Sequence, residues 1–344
     1  MRQINFAIVG FGGIAKTHAL AAYDANLRYG LPYQLNLTHV VTRKPIDIPL
    51  PNVQNVTDIE EVLKDENIHF IDICTPNDSH LDIVKKAVAH GKAIYCEKPL
   101  ASNYKDALEM TTLVKEKNIP NAVALMYRFM PAVHLLKKEL EAKTIGDIID
   151  FKIRTYHKSY LSEKKKGTWR TKANEGKGAI LDLGVHLIDL VQFTLGDIVK
   201  ANHHERIYFK ERTQVDEITN SELILENGIM GHLEASRIFA EKEETDNFEI
   251  YGTKGSIRIN FLKPYEIEVY HFEEDYTEIK KPTSEDPIMK YYASERSSLG
   301  FFQNCHTASL IHFANEIYGQ QHVEIAAKFN DALKCQKIID GIME

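Results

Sequence analysis

The residues of this chain best suited to chemistry follow short apolar segments. Lys98 comes just after Ala93–Cys96, an apolar run that predicts a buried parallel strand. Open α/β sheets bind their ligands at the carboxyl ends of the strands, so a lysine at this point faces the place where a substrate would bind. Packing explains such a charged side chain poorly. Lys98 is therefore the first candidate catalytic residue.

A second candidate pair lies in the helical run 179–191, which is apolar except for Asp182, His186 and Asp189. Asp182 and His186 are four residues apart and share one helix face. A lone histidine on such a helix is usually a core residue, but a carboxylate one turn earlier can orient the imidazole and raise its basicity. The pair therefore favours a functional site, whereas Asp189 is equally consistent with a surface position. No metal site is predicted, because no grouping of ligands in the sequence completes one.

A glycine-rich turn follows the first predicted strand and opens a helix. Its sequence fits G-x-G-x-x-A, in which the glycines allow a tight turn and close approach of a pyrophosphate, and the helix N-terminus attracts the anion. The alternative is a glycine-rich turn that binds nothing. The strand–turn–helix context favours dinucleotide binding. The residues concerned are Gly10, Gly12, Gly13, Ile14 and Ala15.

The end of the second predicted strand bears on the choice between NAD and NADP. An acidic residue here would bind the ribose hydroxyls of NAD, but Thr42 and Arg43 stand there instead. Arginine pairs with a 2′-phosphate, which favours NADP. A basic pair on the surface is the alternative, so NAD stays open.

The segment after the third predicted strand supplies further cofactor candidates. Thr75 and Pro76 form the exit turn, and the next helix begins near Ser79. The turn and the helix start explain Thr75, Pro76 and Ser79 without a ligand. They do not explain Asn77 and His80, which are therefore candidates to face the cofactor.

The pattern of elements predicts two domains. In residues 1–125, apolar strands alternate with helices, which predicts a parallel sheet covered on both faces. After residue 125, strands such as 256–261 alternate apolar and polar residues, and Asn227-Gly228 is a hairpin signal. We therefore expect a dinucleotide-binding domain over 1–125 and an α+β domain with a largely antiparallel sheet over 126–344.

Composition limits the function classes. The 344 residues are 44% hydrophobic and 26% charged, as in an ordinary globular protein, and the net charge of −7 argues against a nucleic-acid partner. The four cysteines form no CxxC pair, which suits a reducing cytoplasm. The N-terminus passes directly into a strand, and no apolar run approaches the length of a membrane span. We expect a cytoplasmic protein without a signal peptide or membrane partner.

Four motifs in this order resemble the Gfo/Idh/MocA family of NAD(P)-dependent oxidoreductases. They are GFGGIA at 10–15, CTPNDSH at 74–80, CEKPL at 96–100 and AILDLGVHLID at 179–189. The turn GTKG at 252–255 resembles a fifth motif. The resemblance implies a Rossmann domain followed by an α+β domain with a large, mostly antiparallel sheet. It also implies a homodimer or homotetramer that pairs through an open face of that sheet.

The resemblance further implies roles for individual residues. Lys98 matches the catalytic lysine of the family, and Asp182 and His186 match its acidic partner and its general acid/base. The other positions it suggests are Glu97 and Asn77 near the nicotinamide ribose, and Tyr127, Arg128, Trp169 and Arg170 facing the substrate. For Trp169 and Arg170, a packing tryptophan beside a surface arginine is nearly as well supported.

The expected activity is hydride transfer between nicotinamide and a secondary alcohol or carbonyl of a sugar, a polyol or a related compound. His186 would transfer the hydroxyl proton, and Lys98 would stabilise the developing alkoxide. One alternative is an NAD-dependent glycosidase of the same family. Another is a non-catalytic NAD(P)-binding regulator, against which the intact set of Lys98, Asp182 and His186 argues.

Overall fold

The computed structural model describes residues 2–173, 177–241, 245–293, 295–320 and 323–342, without the side chains of Trp169, Thr245 and Glu295. The chain divides into two compact units. The first comprises Met1–Met126 and Lys290–Leu333, and the second comprises Tyr127–Met289 and Lys334–Glu344. No helix in the described ranges combines the length and the apolar character needed to cross a membrane.

The described residues form eight α-helices. The bounds are α1 (Gly13–Arg28), α2 (Ile59–Leu63), α3 (His80–Ala89), α4 (Tyr104–Glu116), α5 (Pro131–Glu141), α6 (Val185–Leu195), α7 (Phe301–Tyr318) and α8 (Phe329–Ile339).

The first unit is built on a six-stranded parallel sheet, as predicted. Its strands are β1 (Arg2–Val9), β2 (Tyr33–Val41), β3 (Gln54–Val56), β4 (Ile68–Ile73), β5 (Ala93–Cys96) and β6 (Asn121–Val123). The order β3-β2-β1-β4-β5-β6 reverses direction between β1 and β4. The carboxyl ends of the strands at such a reversal form the ligand-binding edge of a doubly wound sheet. This edge carries the glycine turn after β1 and Lys98 after β5.

The helix α7 belongs to the first unit, although the sequence predicts a single border after residue 125. Polar side chains explain the difference, because buried groups on α7 find partners elsewhere in this unit. Thr307 donates a hydrogen bond to Asp24 of α1 at 3.1 Å, and Tyr33 of β2 donates to Asn315 at 2.7 Å. Where a C-terminal helix packs depends on such distant partners, which local patterns do not reveal.

The second unit contains an eight-stranded sheet in the order β14-β13-β12-β11-β7-β10-β9-β8. Among the described strands of this second sheet, only β7 and β10 pair in parallel, so the predicted mostly antiparallel sheet is confirmed. The hairpin at Asn227-Gly228 joins β9 to β10, with Gly228 at φ +84°. The bounds are β7 (Ile148–Tyr156), β8 (Ile198–Arg206), β9 (Ile218–Leu225), β10 (Met230–Ser236), β11 (Thr245–Gly252), β12 (Gly255–Asn260), β13 (Ile267–His271) and β14 (Tyr276–Lys280).

The two faces of this sheet differ in polarity. Ile153 of β7 lies between Leu233 of β10 and Phe248 of β11 in register, and all three side chains are buried. The alternate residues point the other way and are polar. We call these residues the polar face: Lys152, Arg154, Glu234, Glu249 and Arg258.

Candidate active site

The turn after β1 has the features of a pyrophosphate site. Gly10 has φ +90°, and a Cβ there would lie 2.8 Å from the carbonyl oxygen of Cys74, so only glycine fits. At Gly12 and Gly13, by contrast, an added Cβ would meet no described atom within 4 Å. Gly12 offers no side chain to cap α1, and the first turn of the helix carries no acidic residue. The helix N-terminus therefore keeps its N–H groups for an anion, and these residues fit a dinucleotide.

Ile14 and Ala15 continue the motif into α1. Ala15 is fully buried, as expected where the helix packs closely on the sheet. Thr42 follows β2 directly, and its hydroxyl donates to the carbonyl oxygen of Lys44 at 2.7 Å. Arg43 is exposed beside it. Its contact with a 2′-phosphate stays a prediction.

The segment after β4 is held by His80. Thr75 and Pro76 precede a short 3-10 turn, Asn77–Ser79, and α3 begins at His80. The two ring nitrogens of His80 each lie 3.0 Å from a backbone carbonyl oxygen, one of Thr75 and one of Leu100. Burial lowers the pKa of His80. The imidazole thus joins the loops that follow β4 and β5, and its contact with cofactor stays a prediction, as does that of Asn77.

The segment after β5 presents Lys98 beside buried neighbours. Glu97 is buried and donates its N–H to the carbonyl oxygen of Ile73 at 2.9 Å, which continues the pairing of β5 with β4. The N–H of Lys98 donates to Oε2 of Glu97 at 3.0 Å, and the Lys98 side chain is partly exposed. The sequence prediction of a lysine at the carboxyl end of a parallel strand is therefore confirmed.

Behind Glu97 lies a buried charged cluster that sequence reasoning missed. His18 of α1 places Nδ1 2.9 Å from Asp72 of β4, and its Nε2 lies 3.1 Å from Oε1 of Glu97 and 3.2 Å from Nδ1 of His306 on α7. Cys74 completes the cluster, with its sulfur 3.4 Å from Nδ1 of His18. We call these five residues the His18 cluster. Two subsets, one of them His18 with Glu97 and His306, also have the spacing of metal ligands, a grouping that the sequence did not reveal.

The protonation states within the His18 cluster follow from its geometry. Burial lowers the pKa of His18, but the neighbouring Asp72 carboxylate and the Cys74 thiol outweigh it and raise the pKa well above its ordinary value. Burial raises the pKa of Glu97, but the hydrogen bond and charge of His18 lower it to about 2. Burial, together with the charge of His18, lowers the pKa of His306 to about 3. Near neutral pH, His18 is therefore an imidazolium and His306 is neutral.

In the second unit, His186 lies on α6 and stacks on Tyr127. The ring centroids are 4.7 Å apart and the planes are tilted by 23°. Tyr127 also contacts Phe261 edge to face, with centroids 5.3 Å apart. Tyr127, predicted to face the substrate, thus lies directly beside the predicted general acid/base.

Arg128 and Asp189 form a buried ion pair. Nη2 of Arg128 lies 2.6 Å from Oδ1 of Asp189, and Nε lies 2.9 Å from Oδ2. Asp189 is 1% exposed, so the surface interpretation of this residue is wrong. Such a bidentate pair accounts for the buried guanidinium, and a contact of Arg128 with substrate stays a prediction.

Asp182 lies in a π-helical turn, Ile180–Gly184, that directly precedes α6. The predicted helix is therefore present, but its first turn is wider than an α-helix, a departure that recurs at functional sites. Asp216 anchors its start, because its carboxylate accepts the N–H groups of Gly178 and Ile180.

Arg237 directly follows β10 and is the main partner of Asp182. The sequence did not predict this contact. Its Nη2 lies 3.0 Å from Oδ2 of Asp182, and its Nη1 donates to the carbonyl oxygen of Arg170 at 3.2 Å. The guanidinium also lies over the ring of Tyr160, 4.6 Å from the centroid. Arg237 is 3% exposed, so its charge is compensated inside the unit by Asp182.

The remaining predicted substrate residues lie in a 3-10 turn, Trp169–Thr171. The side chain of Trp169 lies outside the described residues. Arg170 is exposed, and its carbonyl oxygen binds Arg237 as described. The turn is thus linked to Asp182 through one guanidinium.

Comparison with known proteins identifies the class to which this fold and these motifs belong. Residues 4–124 match the model of an oxidoreductase family with an NAD-binding Rossmann fold, and residues 133–258 match the Gfo/Idh/MocA C-terminal domain. The chain belongs to the Gfo/Idh/MocA family, and it is an oxidoreductase with a Rossmann domain that binds NAD or NADP.

Several relatives are named as dehydrogenases. Levoglucosan dehydrogenase of Pseudarthrobacter phenanthrenivorans is 29% identical over 299 residues, which cover 78% of this chain and 76% of the relative. The NAD⁺-dependent scyllo-inositol 2-dehydrogenase of Bacillus subtilis is 28% identical over 273 residues, or 76% of this chain and 75% of the relative. A solved structure of levoglucosan dehydrogenase with NADH and levoglucosan superposes with a TM-score of 0.87 at 25% identity, covering 99% of this chain and 96% of that one.

Proposed function

We propose that this oxidoreductase is a dehydrogenase that oxidises a secondary alcohol of a sugar or polyol with NADP⁺ or NAD⁺. The observation that carries the proposal is the position of Lys98 at the carboxyl end of β5, on the sheet edge that also carries the open glycine turn. The relatives support the substrate class, because the characterised ones are named for levoglucosan, scyllo-inositol and glucose 6-phosphate.

The residues of the chain divide the work of this reaction. When bound, the nicotinamide supplies the hydride acceptor, and the glycine turn is the part of the chain suited to hold the pyrophosphate. We assign to His186 the removal of the hydroxyl proton, since an imidazole transfers protons near neutral pH. Stacking on Tyr127 restricts the plane of that imidazole.

Lys98 and Asp182 provide charge. The ammonium of Lys98 stabilises the negative charge that develops on the carbinol oxygen. Asp182, held by Arg237, keeps a fixed carboxylate that accepts a hydrogen bond from a substrate hydroxyl or from His186. Asn77 and Glu97 are assigned to the nicotinamide ribose, and Arg128, Trp169 and Arg170 to the substrate.

Cofactor preference, location and assembly complete the proposal. The exposed Arg43 at the end of β2 supports NADP over NAD. The described cysteines are free and buried, which supports a reducing cytoplasm. The family resemblance supports a homodimer or homotetramer, and we assign its contact to the polar face of the second sheet.

The test is a substrate panel. Levoglucosan, scyllo-inositol and glucose 6-phosphate are each incubated with NAD⁺ and with NADP⁺, and NAD(P)H formation is followed by absorbance. We expect one substrate to reduce the cofactor, faster with NADP⁺. Hydrolysis of a chromogenic glycoside without net NADH would instead indicate the glycosidase. Tight cofactor binding without turnover of any sugar or polyol would indicate the regulator.

A further inference from the structure

The His18 cluster is larger than a cofactor contact at Glu97 requires. It buries two carboxylates, two imidazoles and a thiol among α1, β4, β5 and α7. Burying charged groups costs free energy that apolar residues of similar volume would not. Packing alone therefore does not account for this cluster.

The contacts of the cluster form a continuous path to Lys98. Asp72 binds Nδ1 of His18 at 2.9 Å, and Nε2 of His18 lies 3.1 Å from Oε1 of Glu97. The second carboxylate oxygen of Glu97 accepts the N–H of Lys98 at 3.0 Å. His18 thus acts on one oxygen of Glu97, while Lys98 is bound to the other.

We propose that His18 is a positioning residue for Lys98, because its positive charge fixes the Glu97 carboxylate that holds the Lys98 backbone. The inference rests on the proposed function, in which Lys98 is catalytic. His306 contributes as a neutral acceptor, since its Nδ1 lies 3.2 Å from Nε2 of His18 and its low pKa keeps it unprotonated.

The charge of His18 makes this arrangement sensitive to pH. The groups that face His18 are Asp72 from β4, Cys74 after β4, Glu97 after β5 and His306 from α7, with the Tyr95 ring 5.4 Å away. The charge of Lys98 acts on Glu97 and His306. The carboxylate of Asp72 is the main group that holds the proton on His18. Loss of that proton at alkaline pH releases Glu97, so positioning is retained at neutral pH and lost as the pH rises through the pKa of His18.

Two variants test the proposal in the full-length protein with the substrate found in the panel. We expect His18→Gln, which keeps a polar side chain without charge, to lower kcat about 10- to 100-fold. KM for the substrate changes by less than about threefold, because the residues assigned to the substrate are unchanged. Asp72→Asn keeps the shape of Asp72 but lowers the pKa of His18, so its alkaline loss of kcat moves down by about one to two pH units.

His312→Gln is the matched control, since His312 is another buried histidine of the first unit, bound to the carbonyl oxygen of Val323. It should alter thermal stability and leave kcat unchanged. A readout independent of turnover is nitrogen NMR of the imidazoles in cofactor-free protein. The spectrum at neutral pH should contain the signal of an imidazole with both ring nitrogens protonated that is absent in His18→Gln, which assigns this signal to His18.

Four results would overturn the proposal. The first is wild-type kcat and pH profile in both variants, and the second is a neutral His18 in the NMR spectrum. The third is zinc retained by the purified wild type and lost in His18→Gln, because the cluster would then be a metal site. The fourth is loss of folded protein in both variants while His312→Gln folds. Lys98→Ala in the same assay separates the two hypotheses: if it turns over normally, the proposed function fails first.

Discussion

The two units bury charge around different cations. In the first unit the central cation is the imidazolium of His18, between Asp72 and Glu97. In the second unit the cations are guanidinium groups, Arg128 with Asp189 and Arg237 with Asp182. Arginine stays charged at every pH at which a protein folds, whereas histidine does not. The contrast predicts that pH acts on the first unit through the His18 cluster, whereas the guanidinium groups of the second unit keep their charge.

Arg128→Met should have the largest effect on stability, because it removes one of the two buried guanidinium groups among the described residues of the second unit. Removing the guanidinium takes the bidentate cation away from the buried carboxylate of Asp189, so the free energy of unfolding should fall by about 3–5 kcal/mol. Denaturant unfolding measures it. The double variant Arg128→Met with Asp189→Leu should recover most of the loss. A decrease below about 1 kcal/mol would show that this pair is not essential to the unit.

Arg237→Met tests whether a guanidinium must hold Asp182. We expect kcat/KM to fall about 10- to 100-fold, because the carboxylate loses its partner and shifts from its position. The kcat/KM of Arg237→Lys should lie between those of Arg237→Met and the wild type, since an ammonium keeps the charge but not the planar geometry. Arg212→Met is the control, as Arg212 pairs with the exposed Glu163 in the same unit. Equal losses in Arg237→Met and Arg212→Met would refute a specific role.

Stability should fall as the pH is lowered below about 6.5, because buried histidines of both units have lowered pKa values. Burial lowers the pKa of His134 in the second unit to about 4, and that of His306 in the first to about 3. Below about pH 6.5 the unfolded chain therefore binds more protons at these sites than the folded protein, and each contributes a slope of up to about 1.4 kcal/mol per pH unit. Glu97 adds to this loss below about pH 4.5, because its pKa of about 2 means that the unfolded chain takes up this proton first. The raised pKa of His18 opposes the loss only above about pH 6.5.

The predicted fall in stability is checked by measuring the free energy of unfolding between neutral pH and about pH 4. His134→Gln is measured alongside, because it removes the contribution of His134. The slope should be shallower in His134→Gln than in wild type. A wild-type stability that rises on acidification would contradict the sign of the shifts.

The smallest expected effect is that of Arg43→Ala on cofactor choice. An exposed arginine that pairs with a 2′-phosphate contributes a charge-assisted hydrogen bond, so KM for NADP⁺ should rise about five- to tenfold. KM for NAD⁺ should stay within about twofold, as NAD⁺ lacks that phosphate. Lys64→Ala, an exposed lysine in the same unit, serves as the control. Parallel changes for both cofactors would remove Arg43 from cofactor selection.

The Rossmann sheet was largely predictable because its strands are continuous apolar runs. The predicted bounds of β5 match the structure. β3 was missed because it has only three residues and none of them is buried. The hairpin after β9 was predictable from two residues, since Asn-Gly has a local conformational preference.

The partners of the site residues were much less predictable. Lys98, Asp182 and His186 stand out locally, as charged residues beside apolar runs. His306, however, is 288 residues from His18 in sequence, and Arg237 is distant from Asp182. A signal existed only for Asp72, a charged residue inside the apolar run of β4. Residue type can nominate a catalytic group, but the groups that fix its charge come from packing.

The most direct test of the account compares turnover with cofactor binding in Lys98→Ala and His186→Ala. Turnover of the panel substrate should fall at least about 1000-fold in each variant, because the alkoxide loses its cation or the hydroxyl loses its base. NAD(P)H affinity, measured by fluorescence titration, should stay within about threefold of wild type, since the glycine turn is unchanged. Turnover within tenfold of wild type in either variant would contradict the assignment of these residues to catalysis.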